Sequence, residues 1–150
     1  MTANNSDNLL LVEKVLILKS LSIFKDTPEH ILADLAPLME EVEFEQNAGI
    51  FHEGEIGDCM YIIHAGSVNI HKGNKTLAVL KEKEVFGELA LLDAELRSAS
   101  ASASTDCLLF RVEQEPFYEL IENRPEVARG FIKILCQRLR AQNEKSVKGL

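Results

Sequence analysis

Residues 86–100 read Phe-Gly-Glu-Leu-Ala-Leu-Leu-Asp-Ala-Glu-Leu-Arg-Ser-Ala-Ser. Gly87 lets a chain leaving a β-run turn sharply and open a short apolar helix, Glu88 to Leu92, whose unpaired N–H groups point outward and attract an anion. Arg97 follows ten residues after Gly87, at the start of a new strand, where its planar fork of donors suits a phosphate. Glu88 beside such a site repels a highly charged guest unless it accepts hydrogen bonds from a neutral hydroxyl. A monoanionic phosphodiester next to a sugar hydroxyl meets both demands; free phosphate, polyphosphates and DNA meet them less well.

The surrounding sequence supplies a scaffold of short strands between helices. Residues 1–8 are polar and read as a disordered leader, and residues 9–40 as N-terminal helices. The first helix is apolar from Leu9 to Leu21. The second is capped and started by Thr27-Pro28-Glu29, with Ile31, Leu32, Leu35, Leu38 and Met39 on one face. From Glu41 the period changes to two, with Val42, Phe44 and Gln46 alternating with glutamates. Strands continue over Ile50–His52, Cys59–His64, Ser67–His71, Thr76–Leu80, Ser98–Ser104 and Cys107–Val112, with turns at Gly54–Asp58, Ala65-Gly66 and residues 72–75. Many short antiparallel strands imply a double-sheet roll or barrel, so residues 41–112 form a β-roll carrying the 86–100 segment. The Ser–Ala alternation after Arg97 runs directly into an apolar strand, which argues against a linker. Residues 113–150 are helical: a short helix over Glu115–Ile121 with Phe117, Leu120 and Ile121 inward, then a long one from Pro125 with Val127, Phe131, Ile134, Leu135 and Leu139 as its apolar stripe.

Residues 86–100 resemble, in register, the phosphate-binding cassette of cyclic nucleotide-binding domains. In that family a Phe-Gly-Glu-(Leu)-Ala-Leu run precedes an arginine and a small residue. Glu53-Gly54-Glu55-x-Gly57-Asp58, Met60-Tyr61-Ile62-Ile63 and Gly66-Ser67-Val68 resemble its earlier strands, and the likeness covers roughly residues 10 to 142. The resemblance implies a mainly β jelly-roll (a double-stranded β-helix barrel) with flanking helices and a long C-terminal lid helix. It also implies that Glu88 accepts from a ribose 2′-hydroxyl, that Arg97 pairs with the phosphate and that Ser98 adds a hydroxyl donor. Backbone N–H groups around Gly87, Leu89, Ala90 and Ala99 complete the cradle behind Phe86. An apolar residue of the last helix, Ile132 or Leu135, then caps the base. In the family, threonine after the arginine accompanies guanine preference; Ser98 is neither that threonine nor the alanine of the kinase regulatory subunit, and the reading favours cAMP over cGMP as the ligand.

At 150 residues, 46% hydrophobic and 27% charged, the chain suits one globular domain with a real core. Leu9–Leu21 is interrupted by charges and too short to span a bilayer, and a secretory signal pattern is lacking; a cytoplasmic location follows as the expectation, with tethering only through some other protein segment. Cys59, Cys107 and Cys136 show no paired spacing for a disulfide framework or zinc site and sit in apolar runs, so all three read as buried thiols. The net charge of −8 argues against a nucleic-acid partner for this chain. Residues 124–150 hold seven basic and two acidic residues, against nine and twenty-two in residues 1–123. The basic last helix is either a solvated helix lying against an acidic body or one that moves and changes partners on ligand binding.

Two rival classes are open. A cupin-like metal-dependent enzyme would use His52, His64 and His71, but no His-x-His pair with a downstream acid is present. Phosphate-loop, nucleophile-elbow and Cys–His catalytic settings are likewise missing, so the expectation is a non-enzymatic, metal-free sensory module. The other rival keeps the fold as a protein-interaction domain without ligand. In either case the effector lies in an unidentified domain or protein partner.

Overall fold

The computed structural model describes residues 2–148, with side chains for 10–144 except positions 134 and 138. Helix α1 runs Thr2–Ser20, so residues 2–8, expected as a leader, continue the first helix as backbone. A 3₁₀ turn at Ser22–Phe24 leads to α2 (Glu29–Leu35) and a second 3₁₀ turn at Ala36–Leu38. Thr27 does not cap α2: Pro28 occupies the cap position without a side-chain bond, and Thr27 is buried with its carbonyl accepting from Lys19 Nζ at 3.1 Å.

Ten strands follow: β1 (Glu40–Phe44), β2 (Gly49–Phe51), β3 (Ile56–Gly57), β4 (Cys59–Ala65), β5 (Val68–Lys72), β6 (Lys75–Leu80), β7 (Val85–Phe86), β8 (Glu95–Leu96), β9 (Ser100–Ala103) and β10 (Cys107–Glu113). Helix α3 (Glu88–Leu92) interrupts them, and α4 (Gln114–Asn123) and α5 (Pro125–Lys148) close the chain. All strand pairs are antiparallel. They form one sheet in the order β1-β10-β4-β7, a second in the order β2-β9-β5-β6, and the small pair β3-β8. The roll is therefore two facing sheets plus a corner ribbon, and the described ladders do not close into one continuous barrel.

Strand β4 explains why its sequence is an unbroken apolar run. Successive side chains alternate between two cores. Met60 and Ile62 face the helices and join Leu18, Phe24, Leu32 and Phe117. Cys59, Tyr61 and Ile63 face the opposite sheet and join Val68, Phe86 and Leu109. The Ser–Ala alternation of β9 obeys the same rule: Ala101 and Ala103 are fully buried between the sheets, whereas Ser102 turns outward to His71. The last helix is anchored at its start. Arg124 pairs with Asp34 on α2 at 3.1 Å, Val127 is buried, and the Phe131 ring meets Phe24 and Phe117 edge-on at 5.6 and 4.7 Å. No described helix is long and apolar enough to cross a membrane.

Candidate functional site

Strand β7 delivers the chain to the cassette. Its residue Phe86 pairs with Tyr61 of β4, and the two rings stack 5.1 Å apart. Gly87 then adopts φ +78°, a left-handed turn that costs glycine little, and α3 begins at Glu88. Ala90 and Leu91 are buried, which seats α3 on β4 and leaves Leu89 outward at 64% exposure. The Ala90 N–H donates to the Gly87 carbonyl at 3.2 Å, so this cradle donor is engaged within the turn here.

Arg97 lies between β8 and β9 rather than inside a strand. Its backbone is fixed from both sides: its N–H donates to the Glu55 carbonyl at 2.7 Å, and its carbonyl accepts from the Gly54 N–H at 2.9 Å. The corner ribbon β3-β8 thus holds the arginine, although residues 54–58 read as a plain turn in the sequence. Its side chain points inward and is only 9% exposed. The guanidinium carbon sits 4.2 Å from the Phe51 ring centroid, a cation–π contact that offsets part of its lost hydration. Nη2 donates to the Cys59 carbonyl at 2.9 Å and approaches Cys59 Sγ at 3.5 Å.

Two glycines make room for this group. A Cβ on Gly57 would stand 2.4 Å from Arg97 Nε, and one on Gly87 would stand 2.7 Å from Nη1. Gly87 therefore touches the guanidinium and immediately precedes Glu88 in the chain. Glu88 is half-buried, Ala99 is buried, and Ser98 is exposed. Ser100 Oγ accepts from the Glu53 N–H at 2.9 Å, tying the strand after Arg97 to the Gly54 turn. The arrangement suits one anionic group held by a pre-positioned guanidinium.

The sequence model of the family described as "Cyclic nucleotide-binding domain" matches residues 41–124. The chain belongs to the cyclic nucleotide-binding domain family. It is similar to the CRP-like cAMP-activated global transcriptional regulator of Mycobacterium tuberculosis, 30% identical over 132 residues that cover 85% of this chain. It spans 59% of that regulator's length. Mouse potassium/sodium hyperpolarization-activated cyclic nucleotide-gated channel 2 is 35% identical over 125 residues, covering 82% of this chain and 14% of the channel. Among solved structures, the N-terminal domain of a transcriptional regulator from Streptomyces coelicolor aligns with TM-score 0.77 at 30% identity, over 86% of this chain and 93% of that one. The regulatory domain of Toxoplasma gondii PKA, co-crystallised with cAMP, aligns with TM-score 0.71 at 25% identity, over 78% and 47%. The β-rich roll with flanking helices is thus the family's fold, and the chain is a regulatory-type binding module of that family.

Other sequence candidates fall elsewhere. Cys59 and Cys107 are buried but Cys136, on α5, is exposed. His52 bonds Glu55 at 3.0 Å, His71 bonds the Gly73 carbonyl and Ser102, and His64 lies beside Phe110. The described residues contain no cluster of three or more His, Cys, Asp or Glu arranged for a metal, so the cupin-like reading lacks a donor set among them. Ile132 is 60% exposed and Leu135 half-buried. Both follow Phe131, the last buried residue among the described side chains of α5. Ile134 of the expected stripe lies outside the described side chains.

One connection had no motif to announce it. Gln114 Nε2 donates to the Ala90 carbonyl at 3.3 Å, and the Tyr118 hydroxyl donates to the Leu92 carbonyl. These two side chains, one turn apart on α4, grip the carbonyl end of α3. The cassette is thereby tied to the helix that leads into α5.

Proposed function

We propose that the cassette binds a cyclic nucleotide, favours cAMP over cGMP, and signals by movement of α5. The reading rests on the buried Arg97 guanidinium, 9% exposed and lodged between Gly57 and Gly87. Arg97 receives the ring phosphate, Glu88 accepts from the ribose 2′-hydroxyl, and Ser98 with the N–H groups of Gly87, Leu89 and Ala99 completes the grip around Phe86, joined by the Ala90 N–H as binding frees it from the Gly87 carbonyl. A cyclic phosphodiester carries one charge, which matches one guanidinium beside one carboxylate; linear AMP adds a second negative charge against Glu88.

Transmission follows the polar grip on α3. A shift of the cassette on binding pulls the Ala90 and Leu92 carbonyls, which Gln114 and Tyr118 hold, and α4 passes the displacement to α5. Ile132 or Leu135 then covers the base in the closed arrangement. Ligand shifts this equilibrium only by the amount that it binds the closed form better. The preference for cAMP draws on Ser98 and on relatives whose names record cAMP activation. A further domain or a protein partner reads the movement, and the chain itself acts without inserting in a membrane or binding nucleic acid. A cytoplasmic setting belongs to the same proposal.

Calorimetric titration with cAMP, cGMP and linear AMP tests the ligand. The expected order is cAMP tighter than cGMP, with linear AMP weakest; absence of saturable binding by either cyclic nucleotide refutes the reading and favours an interaction domain that kept only the fold. A helix-to-roll distance that stays constant from zero to saturating cAMP refutes the α5 movement.

A further inference from the structure

We propose that Phe51 is a positioning residue for the ligand: its ring holds the Arg97 guanidinium in the attitude in which it meets the phosphate, a role that rests on the cyclic-nucleotide reading above. An arginine side chain has many rotamers, so a guanidinium already in place binds an anion more tightly than one that must first be ordered. One hydrogen bond does not fix the group. Nη2 donates to the Cys59 carbonyl at 2.9 Å, and about that bond alone the guanidinium could still turn. The Phe51 ring, whose centroid lies 4.2 Å from Cζ, supplies the second point of hold.

The ring is itself braced. Phe51 ends β2 and pairs with Ala101 of β9 in one sheet, while its ring centroid lies 6.2 Å from that of Tyr61 and 5.9 Å from that of Phe86. Those two rings belong to the other sheet and stack on each other. Phe51 therefore bridges the two sheets at the point where Arg97 enters the roll, and both sheets resist its displacement. Gly57 closes a further side: a Cβ there would stand 2.4, 2.6 and 2.7 Å from Nε, Cζ and Cδ of Arg97. An aliphatic residue at position 51 fills the same apolar corner but lacks the negative ring face that attracts a cation. The aromatic ring is thus matched to the guanidinium rather than to the core alone.

The test titrates cAMP into the wild type, into Phe51→Leu and Phe51→Met, which keep apolar bulk without a ring, and into Phe51→Tyr, which keeps the ring. Circular dichroism verifies each fold, and either ringless variant that folds decides the matter. Positioning predicts cAMP affinity weakened about three- to thirtyfold in the ringless variants and held within about twofold in Phe51→Tyr. It also predicts an upfield ring-current shift of the Arg97 Nε–H resonance in the wild type and Phe51→Tyr, lost in the ringless variants. Ringless variants that bind cAMP as tightly as the wild type, or more tightly, overturn the role of Phe51 alone, and equal losses in Phe51→Tyr overturn it by ascribing the effect to packing. A wild type that binds neither cAMP nor cGMP overturns the cyclic-nucleotide reading, and this role with it.

Discussion

Gly87→Ala puts one methyl group into the tightest corner of the cassette. The backbone there has φ +78°, a region that costs an L-residue roughly 1–2 kcal/mol. The new Cβ would also stand 2.7 Å from Arg97 Nη1 and 3.0 Å from the Cys59 carbonyl oxygen. The carbonyl belongs to β4 and cannot retreat, so the guanidinium must move. Moving it weakens the contact with Phe51, worth about 0.5–2 kcal/mol, and its bond to Cys59, so the fold should lose about 2–4 kcal/mol in all. Ligand binding should suffer separately, because a displaced guanidinium forfeits a charge-assisted contact of about 1.5–3 kcal/mol, or roughly ten- to a hundredfold in affinity. Urea denaturation followed by circular dichroism measures the first quantity and calorimetric titration with cAMP the second, under conditions where the variant is folded. Stability and affinity both within about twofold of wild type, in equilibrium-constant terms, would refute the claim that Gly87 is there to seat Arg97.

Three further outcomes follow from the same geometry. Gly57→Ala, whose Cβ would stand 2.4 Å from Arg97 Nε, should weaken cAMP binding without the positive-φ strain of position 87, and normal affinity by titration would deny the ribbon β3-β8 its part in the site. If Glu88 reads the ribose hydroxyl, Glu88→Ala should weaken cAMP by about tenfold yet leave 2′-deoxy-cAMP nearly unchanged, and equal losses for both ligands would reject that role. Burial and the neighbouring Cys59 push the Tyr61 hydroxyl up to about 12 from 10.0, so the folded state holds this proton more tightly than the unfolded chain does. Its contribution is complete below pH 10 and is lost as pH rises toward 12; Tyr61→Phe should flatten that part of the urea-stability profile, and an unaltered slope would contradict the assignment.

The positions of the cassette residues were legible in the sequence because their signals are local. A glycine at a strand-to-helix turn and an arginine a fixed distance on need only the chain's own connectivity to be placed, and Glu88–Leu92 forms the expected helix. The alternation of β1 was legible for the same reason: Val42 and Phe44 turn inward while Glu41 and Glu43 remain exposed. The ribbon β3-β8 was not, because each strand has two residues, too short for a period, and exists only through pairing between segments some forty residues apart. The roles of Phe51 and Cys59 beneath Arg97, and of Gln114 and Tyr118 on α3, are likewise tertiary contacts between elements that local spacing does not relate. Cys136 was misplaced for a related reason: it lies in an apolar run, but its own side chain is exposed, and among the described side chains of α5 the last buried one is Phe131, which meets Phe24 and Phe117.

The central claim is that the buried guanidinium of Arg97 receives the phosphate of a cyclic nucleotide. The most direct measurement is the cAMP affinity of Arg97→Ala beside that of the wild type, both verified as folded by circular dichroism. The account predicts saturable binding to the wild type and a loss of at least about tenfold in the variant; a folded variant with undiminished affinity would contradict it.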